Sequence, residues 1–385
     1  MALETGLRVR VFDDYARTNL VDDLTDRMTA GSITTTVHGG FARAKGFRIP
    51  MTPDDLSLYF NRGNLPGRHF FHLEVSDGPA VVWEGRIMRT AFGPDGKGGV
   101  ELRIEGAGYW NSLKDQKYSV TVAGGDTQKD VIEDALTSKA PLISSDYSLI
   151  EDPGLDLGSL VITREYPQDM IVNKIPHTSD GTDQWFAYIY ETRGADDLPI
   201  LIYKARSSSV IHWTTSTREL ATDWEIAQDG YLMRNTATPI DNGVAGTTQT
   251  DANQRATDPT RDFDITVGTG LDWTAEAAEA NRVLGEKRLP QQTQTFTIEG
   301  KVFRTALTEQ REPARLWWVR AGEVIRFENL FPESAVNPQF DSLRTFSIRS
   351  TDYNLMADTV SVRPDRAAMT ITQVLPRISQ IELAR

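Results

Sequence analysis

Two spacings of apolar residues recur along the chain, one of two residues and one near 3.6. Together they predict a mainly β protein with α+β insertions. From Leu7 to Phe12, Val9 and Val11 alternate with Arg8 and Arg10, which reads as a strand ended by Asp13-Asp14. A second strand is expected over 32–38. Residues 52–68 carry Pro53, Asn61, Gly63, Asn64, Pro66 and Gly67, which is loop chemistry. Apolar runs at 69–75 and 80–88 flank Ser76-Asp77-Gly78-Pro79, a hairpin signal. After a turn at 93–99, Val100, Leu102 and Ile104 alternate with Glu101, Arg103 and Glu105. Residues 1–111 therefore read as one small all-β unit, whose edges need barrel closure or a neighbouring chain to hide them.

The pattern changes after Tyr109-Trp110. Residues 127–136 (TQKDVIEDAL) place Val131, Ile132 and Ala135 on one side of a short helix, with Asp126 as its N-cap. A turn-rich stretch at 142–163 leads to a helical segment at 170–174. Strands at 185–190 and 198–204 then pair across Arg193-Gly194-Ala195-Asp196, so 112–212 reads as an α+β insertion module. Residues 241–262 (DNGVAGTTQTDANQRATDPTRD) lack apolar periodicity and predict a surface loop, or an extended arm that orders against a partner.

The strongest helix signal follows. Ala277, Ala280 and Leu284 share one face, while Glu276, Glu279 and Arg282 are free to face solvent. Thr274 is the expected N-cap, Lys287 and Arg288 complement the C-terminal dipole, and Pro290 stops the helix. A strand is expected at 293–299. Residues 316–327 are aromatic and β-branched around Ala321-Gly322, which predicts a hairpin. Further strands are expected at 358–362 and 369–375. These elements define a second β unit from 213–250 and 293–365, an inserted loop-helix module at 251–292 and a C-terminal segment at 366–385. VVWEGRI at 81–87 and WWVRAGEVIRF at 317–327 are faint echoes of each other, both aromatic segments turning near a glycine.

Composition narrows the chemistry. The 385 residues are 39% hydrophobic and 25% charged, so several modules are expected. The absence of cysteine excludes disulfides, thiolate nucleophiles and cysteine-ligated metals. A formal charge of −13 argues against a firm grip on nucleic acid; it reads first as an ordinary soluble surface, and it would also suit a conduit past which DNA travels without sticking. No apolar run approaches the roughly 18 residues of a membrane span, and MALETGLRVRVFDDY lacks a signal-peptide core, so no stable membrane insertion is expected.

Candidate reactive groups are few. His69, His72 and Glu74 invite a metal reading, but the odd spacing of the histidines sends their side chains to opposite faces of a strand. No GxSxG elbow or HExxH motif occurs, and GPDGKGG at 93–99 lacks P-loop spacing. The acidic pairs Asp13-Asp14, Asp54-Asp55 and Asp196-Asp197 are adjacent in turns, not opposed across a cleft. Eight tryptophans offer either a sugar platform or, more simply, core and interface area.

The run at 224–235 (WEIAQDGYLMRN), the helix after it and the WWVRAGEVIRF segment resemble, in order and spacing, the central hub proteins of phage tail tips. The resemblance implies two tail-tube-like β-barrels plus mixed α/β modules in one chain. Three such chains would form a homotrimeric, pseudo-sixfold ring that joins the tail tube to the tip and lines the DNA channel. It implies partners in identical chains, a distal tail protein ring, the tape-measure protein and a tail fibre or central spike, with DNA only in transit. The location it implies is the virion tail tip, after synthesis in the host cytoplasm. Neither catalysis, a cofactor nor a metal is called for. The contact regions expected on this reading are 69–88, 224–235 and 317–327, with Trp83, Arg86, Trp224, Arg234, Trp317, Trp318 and Arg320 as candidate assembly contacts. The alternatives are a carbohydrate-binding distal tail or receptor-binding protein, and a hub carrying peptidoglycan hydrolase activity.

Overall fold

The computed structural model describes residues 6–59, 71–175, 185–205, 211–221, 228–229, 233–252, 259–267, 270–287, 291–292, 295–305, 311–328 and 345–364. The first unit contains β1 (Leu7–Phe12), β2 (Leu20–Asp23), β3 (Ala30–Thr36), β4 (Gly39–Pro50), α1 (Pro53–Tyr59), β5 (His72–Asp77), β6 (Ala80–Pro94) and β7 (Val100–Ala107). These strands pair in the order β2-β1-β5-β6-β7-β4-β3, antiparallel throughout. As the alternation predicts, β1 buries Leu7, Val9 and Val11. The β5–β6 hairpin forms with Asp77 opposite Ala80, and Gly78 supplies the positive φ (57°) that this tight turn needs.

Three elements of this unit differ from the sequence reading, the first being β2, where no strand is expected. β4, twelve residues long, was not legible because bulges between Ala44 and Phe47 and at Thr34/Thr35 break the two-residue period. Part of the expected loop at 52–68 is the short helix α1, which starts at Pro53 and carries Asp54 and Asp55 in its first turn. Asp55 accepts from the Thr52 N–H at 2.6 Å and so satisfies a free donor at the helix start. His69 lies outside the described residues.

The middle module begins with a 3-10 turn at Tyr109–Lys114, followed by β8 (Tyr118–Thr121), α2 (Gln128–Lys139), β9 (Val161–Glu165), α3 (Pro167–Asn173), β10 (Trp185–Ile189) and β11 (Ile202–Ala205). The apolar face of α2 is as expected, with Val131, Ile132, Ala135 and Leu136 buried. Its cap is Thr127, not Asp126, because the Asp130 carboxylate accepts from both the Thr127 N–H and its hydroxyl. β10 pairs antiparallel with β11 and parallel with β4, which docks the module onto the first sheet. That contact is close. A Cβ at Gly40, where φ is +70°, would lie 2.2 Å from the Ile189 carbonyl oxygen.

The remaining strands are β12 (Trp213–Ser216), β13 (Gln228–Asp229), β14 (Thr236–Asp241), β15 (Val244–Ala245), β16 (Gln249–Thr250) and β17 (Asp262–Thr266), then α4 (Trp273–Lys287). After α4 come β18 (Gln291–Gln292), β19 (Phe296–Ile298), β20 (Val302–Thr305), β21 (Arg311–Ala314), β22 (Val324–Glu328), β23 (Thr345–Asn354) and β24 (Thr359–Pro364). β23 pairs with β3, and the sheet continues β3-β23-β22-β12-β20-β21, with β24 also on β23 and β19 on β24. One hydrophobic core therefore runs from Leu7 and Trp83 through Phe41 to Phe327, Phe346 and Val362. Among the described residues the path is open from β2 to β21, and no closed barrel forms.

Three expectations for this half need correction. The 316–327 hairpin is a 3-10 turn at Leu316–Trp318 feeding β22, whose partners β12 and β23 come from distant sequence, although the turn at Ala321-Gly322 is present. The helix over 273–287 is capped by Asp272, whose Oδ1 accepts from the Ala275 N–H at 2.8 Å, instead of Thr274. Its buried residues are Ala275, Ala278, Ala280 and Leu284, and Glu279 is buried with them because it pairs with Arg282 at 2.7 Å. Part of the expected loop at 241–262 forms β15, β16 and the start of β17. Because β14 pairs with β17, a small sheet under α4 crosses the boundary placed between 250 and 251. The strand expected at 369–375 lies outside the described residues.

Replacing Gly40 by alanine should destabilise the protein by about 2–4 kcal/mol, since a forced contact adds to a disfavoured φ. Gly46 has φ +64° with nothing within 4 Å of a Cβ, so its alanine variant should cost only about 1 kcal/mol. Chemical denaturation of both variants measures the difference, and equal losses would contradict the close docking of β10.

Candidate functional site at the module junctions

Charged and aromatic residues gather where the three units meet. On β5 the two-residue period turns His72 and Glu74 away from the core side occupied by Leu73 and Val75, yet both are buried. Antiparallel register sets Glu74 directly opposite Glu84 of β6, a repulsive pairing on its own. It is answered by three arginines. Arg10 lies 2.6 Å and Arg17 3.0 Å from Glu74, and Arg193 of the middle module lies 2.5 Å from Glu84.

His72 completes the cluster. Its Nδ1 is 2.7 Å from the Tyr109 hydroxyl, whose ionisation burial opposes. Its Nε2 stands 3.8 Å from Glu84 and 4.0 Å from Glu74. Burial works to raise the Glu74 carboxyl, but His72, Arg17 and Arg10 outweigh it and hold the group at about 2. The ligating atoms of His72, Glu74 and Glu84 lie within 4.8 Å of one another, a grouping that sequence spacing could not show because Glu84 comes from the next strand. Each carboxylate already holds guanidinium groups at 3.0 Å or less, so a bound cation would have to displace them. The chemistry of this cluster is charge pairing between modules.

A second junction centres on Arg320, only 8% exposed. Its guanidinium lies 2.6 Å from Glu191 of the middle module and 3.3 Å from the Val81 carbonyl of β6. It also packs over the rings of Tyr190, Trp318 and Phe41 at 4.9, 5.1 and 5.3 Å. Beside it, Glu323 accepts from the Trp213 indole at 2.6 Å and from the Arg320 N–H at 3.0 Å, and burial raises its carboxyl above the ordinary range. Tyr190 donates to the Ala321 carbonyl at 2.8 Å, and the Ala321 N–H donates to the Thr35 hydroxyl at 2.9 Å. Next to this junction is a recess of about 440 Å³ lined by Glu191, Trp213, Arg304, Arg315, Trp318 and Glu323, among others.

The candidate assembly contacts fall unevenly on this arrangement. Trp83 is fully buried against Gly106, and Arg86 is buried in a two-pronged pair with Asp115 at 3.0 and 3.2 Å, so neither presents a surface to another chain. Trp317 is buried against Tyr353, and Arg320 is committed to the junction just described. These four hold the chain together internally. Large aromatic and arginine side chains serve both kinds of contact, so sequence could not separate them. Trp318 is half-buried at the recess. Arg234 is half-buried, with its N–H bonded to the Lys287 carbonyl at 2.8 Å. Trp224 lies outside the described residues. Of the other tryptophans, Trp110, Trp185 and Trp213 are buried and Trp273 is 76% exposed.

The fold built around these junctions is that of phage tail proteins. The tail protein from Neisseria meningitidis MC58 matches with a TM-score of 0.58 at 14% identity, over 93% of this chain and 95% of that one. The 43 kDa tail protein of prophage MuSo2 from Shewanella oneidensis matches with a TM-score of 0.55 at 12% identity, over 94% and 99%. Prophage tail protein gp18 from Listeria monocytogenes EGD-e matches with a TM-score of 0.50 at 10% identity, over 97% and 98%. At these identities the likeness is one of fold, and it agrees with the phage-tail part of the resemblance read from the sequence. No protein-family model and no curated protein matches the sequence.

Two outcomes test the junctions. A glutamate held at about 2 instead of its ordinary 4.5 contributes about 3 kcal/mol, present above pH 4.5 and lost as pH falls towards 2. Glu74→Gln should therefore unfold well below the wild type at pH 7, with the gap in melting temperature closing by pH 2. A gap that stays constant with pH would rule the charge cluster out as its origin. Arg320→Lys keeps the charge but loses the planar stack and fork, and should still cost about 2 kcal/mol in urea unfolding. Wild-type stability of that variant would show that the ring contacts contribute nothing.

Proposed function

We propose that the chain is the structural hub of a phage tail tip or a related tail-like particle. Three copies form a pseudo-sixfold ring that joins the tail tube to the tip and surrounds the path of the DNA. The observation that carries this reading is the end-to-end likeness to phage tail proteins from three bacterial sources, spanning nearly the whole of this chain and of each of theirs. Two β units within one hydrogen-bonded sheet support it further, because paired units in each of three chains are what a sixfold-to-threefold adaptor requires. On this reading each β unit is tail-tube-like and completes its barrel within the ring. The partners are identical chains, a distal tail ring, the tape-measure protein, and a fibre or central spike. The work is assembly and passage of DNA, with no reaction, cofactor or metal, and the location is the virion tail tip.

Light scattering on purified chain, with image averaging of the particles and antibody labelling of whole tails, tests the proposal. The expected results are a three-chain species, a ring with six similar lobes, and label at the tip. Label along the tail shaft or on the head, or a ring of another symmetry, would overturn it.

A further inference from the structure

The two open ends of the sheet path differ in charge and shape. At one end, β2 pairs only with β1 among the described residues, and Leu20 is 55% exposed. Around it lie Asp13, Asp14, Asp23 and Asp26, none of which is ion-paired among the described residues. Of the nearby cations, Arg27 is paired with Asp55 and Asp22, and Arg10 and Arg17 with Glu74, while Arg8 of β1 is exposed. This edge is acidic with an apolar tip.

At the other end, β21 pairs only with β20 among the described residues, and the recess of about 440 Å³ opens beside them. Pro313 lacks an N–H and suits an outermost strand, so this edge is poorly equipped to continue the sheet by backbone pairing. What it offers is side chains. Arg320 and Glu191 neutralise each other in the floor, Trp318 forms a half-buried apolar wall, and Arg304 and Arg315 are exposed at the rim. The side chains exposed at this rim are basic and aromatic, with Glu323 deeper in the recess and Glu312 of β21 opposite Arg304 in register.

We infer that these ends meet between neighbouring copies of the chain, with Leu20 and Asp23 of one copy seated against Trp318, Arg304 and Arg315 of the next. The inference rests on the ring proposed above and names its contact. A chain with a net charge of −13 repels its own copies, so association depends on a local patch of opposite sign, and the recess rim supplies one. The two surfaces are different, so the contact is head-to-tail and generates a ring once the rotation between copies closes.

The chain has no cysteine, which makes a cross-linking test clean. Asp23→Cys and Arg304→Cys combined in one chain should, on mild oxidation, give covalent species that stop at three chains, while either substitution alone gives none larger than two. Reversing one charge, by Asp23→Arg or Arg304→Glu, should weaken self-association about tenfold, and combining the two reversals should restore it. Three-chain rings that form without the cross-link and ignore both reversals would overturn this contact and leave the ring standing. A cross-link within one chain would also overturn it. A chain that stays monomeric at every concentration and yields no covalent oligomer would overturn both.

Discussion

Backbone pairing between β3 and β23 makes one sheet out of two β units. Ser32 to Thr36 run antiparallel to Ser350 to Asn354, and the Thr35 and Thr351 hydroxyls meet at 2.7 Å although 316 residues separate them. Closing so long a loop costs chain entropy, but that cost grows only logarithmically with length, and the continuous core formed on closure offsets it. Lys45 adds an ion pair to Asp352 across the same seam. The pairing also decides which edges remain. It covers the outer strand of the first unit from within the chain, so among the described residues the open ends of the main path are β2 and β21.

Around that seam the modules are tied by buried polar contacts as well as by apolar packing. Glu74 and Glu84 face each other in register, an arrangement that persists only with guanidinium groups brought from elsewhere. Arg193 comes from the middle module, and removing its guanidinium with the module in place would leave Glu84 buried without its cation, at about 3–5 kcal/mol. Arg320 plays the same part among all three units, with one prong on Glu191, one on the Val81 carbonyl and its plane among three rings. A chain tied together this way holds its exposed surfaces in fixed relation to one another.

Local order was readable wherever one face of an element met the core. The strand Leu7–Phe12, the hairpin turning at Gly78, the apolar face of Gln128–Lys139 and the long helix ending at Lys287 all follow from periodicity and turn chemistry. Caps were placed within two residues, because several side chains near a helix start can accept the same N–H and only the fold chooses among them. β4 escaped because its bulges mix the two faces, and the 316–327 segment misled because a good turn says nothing about which strands lie on either side.

The sequence alone determined that this is a mainly β chain, without cysteine chemistry and acidic overall. Those properties depend on composition and on neighbours in the chain. Only the tertiary structure decided that Trp83, Arg86, Trp317 and Arg320 face inward, that Glu84 joins His72 and Glu74, and that β3 lies against β23. The reason is physical. Burial and pairing between residues far apart in sequence depend on the register of whole strands and the approach of whole modules, and no local spacing encodes either.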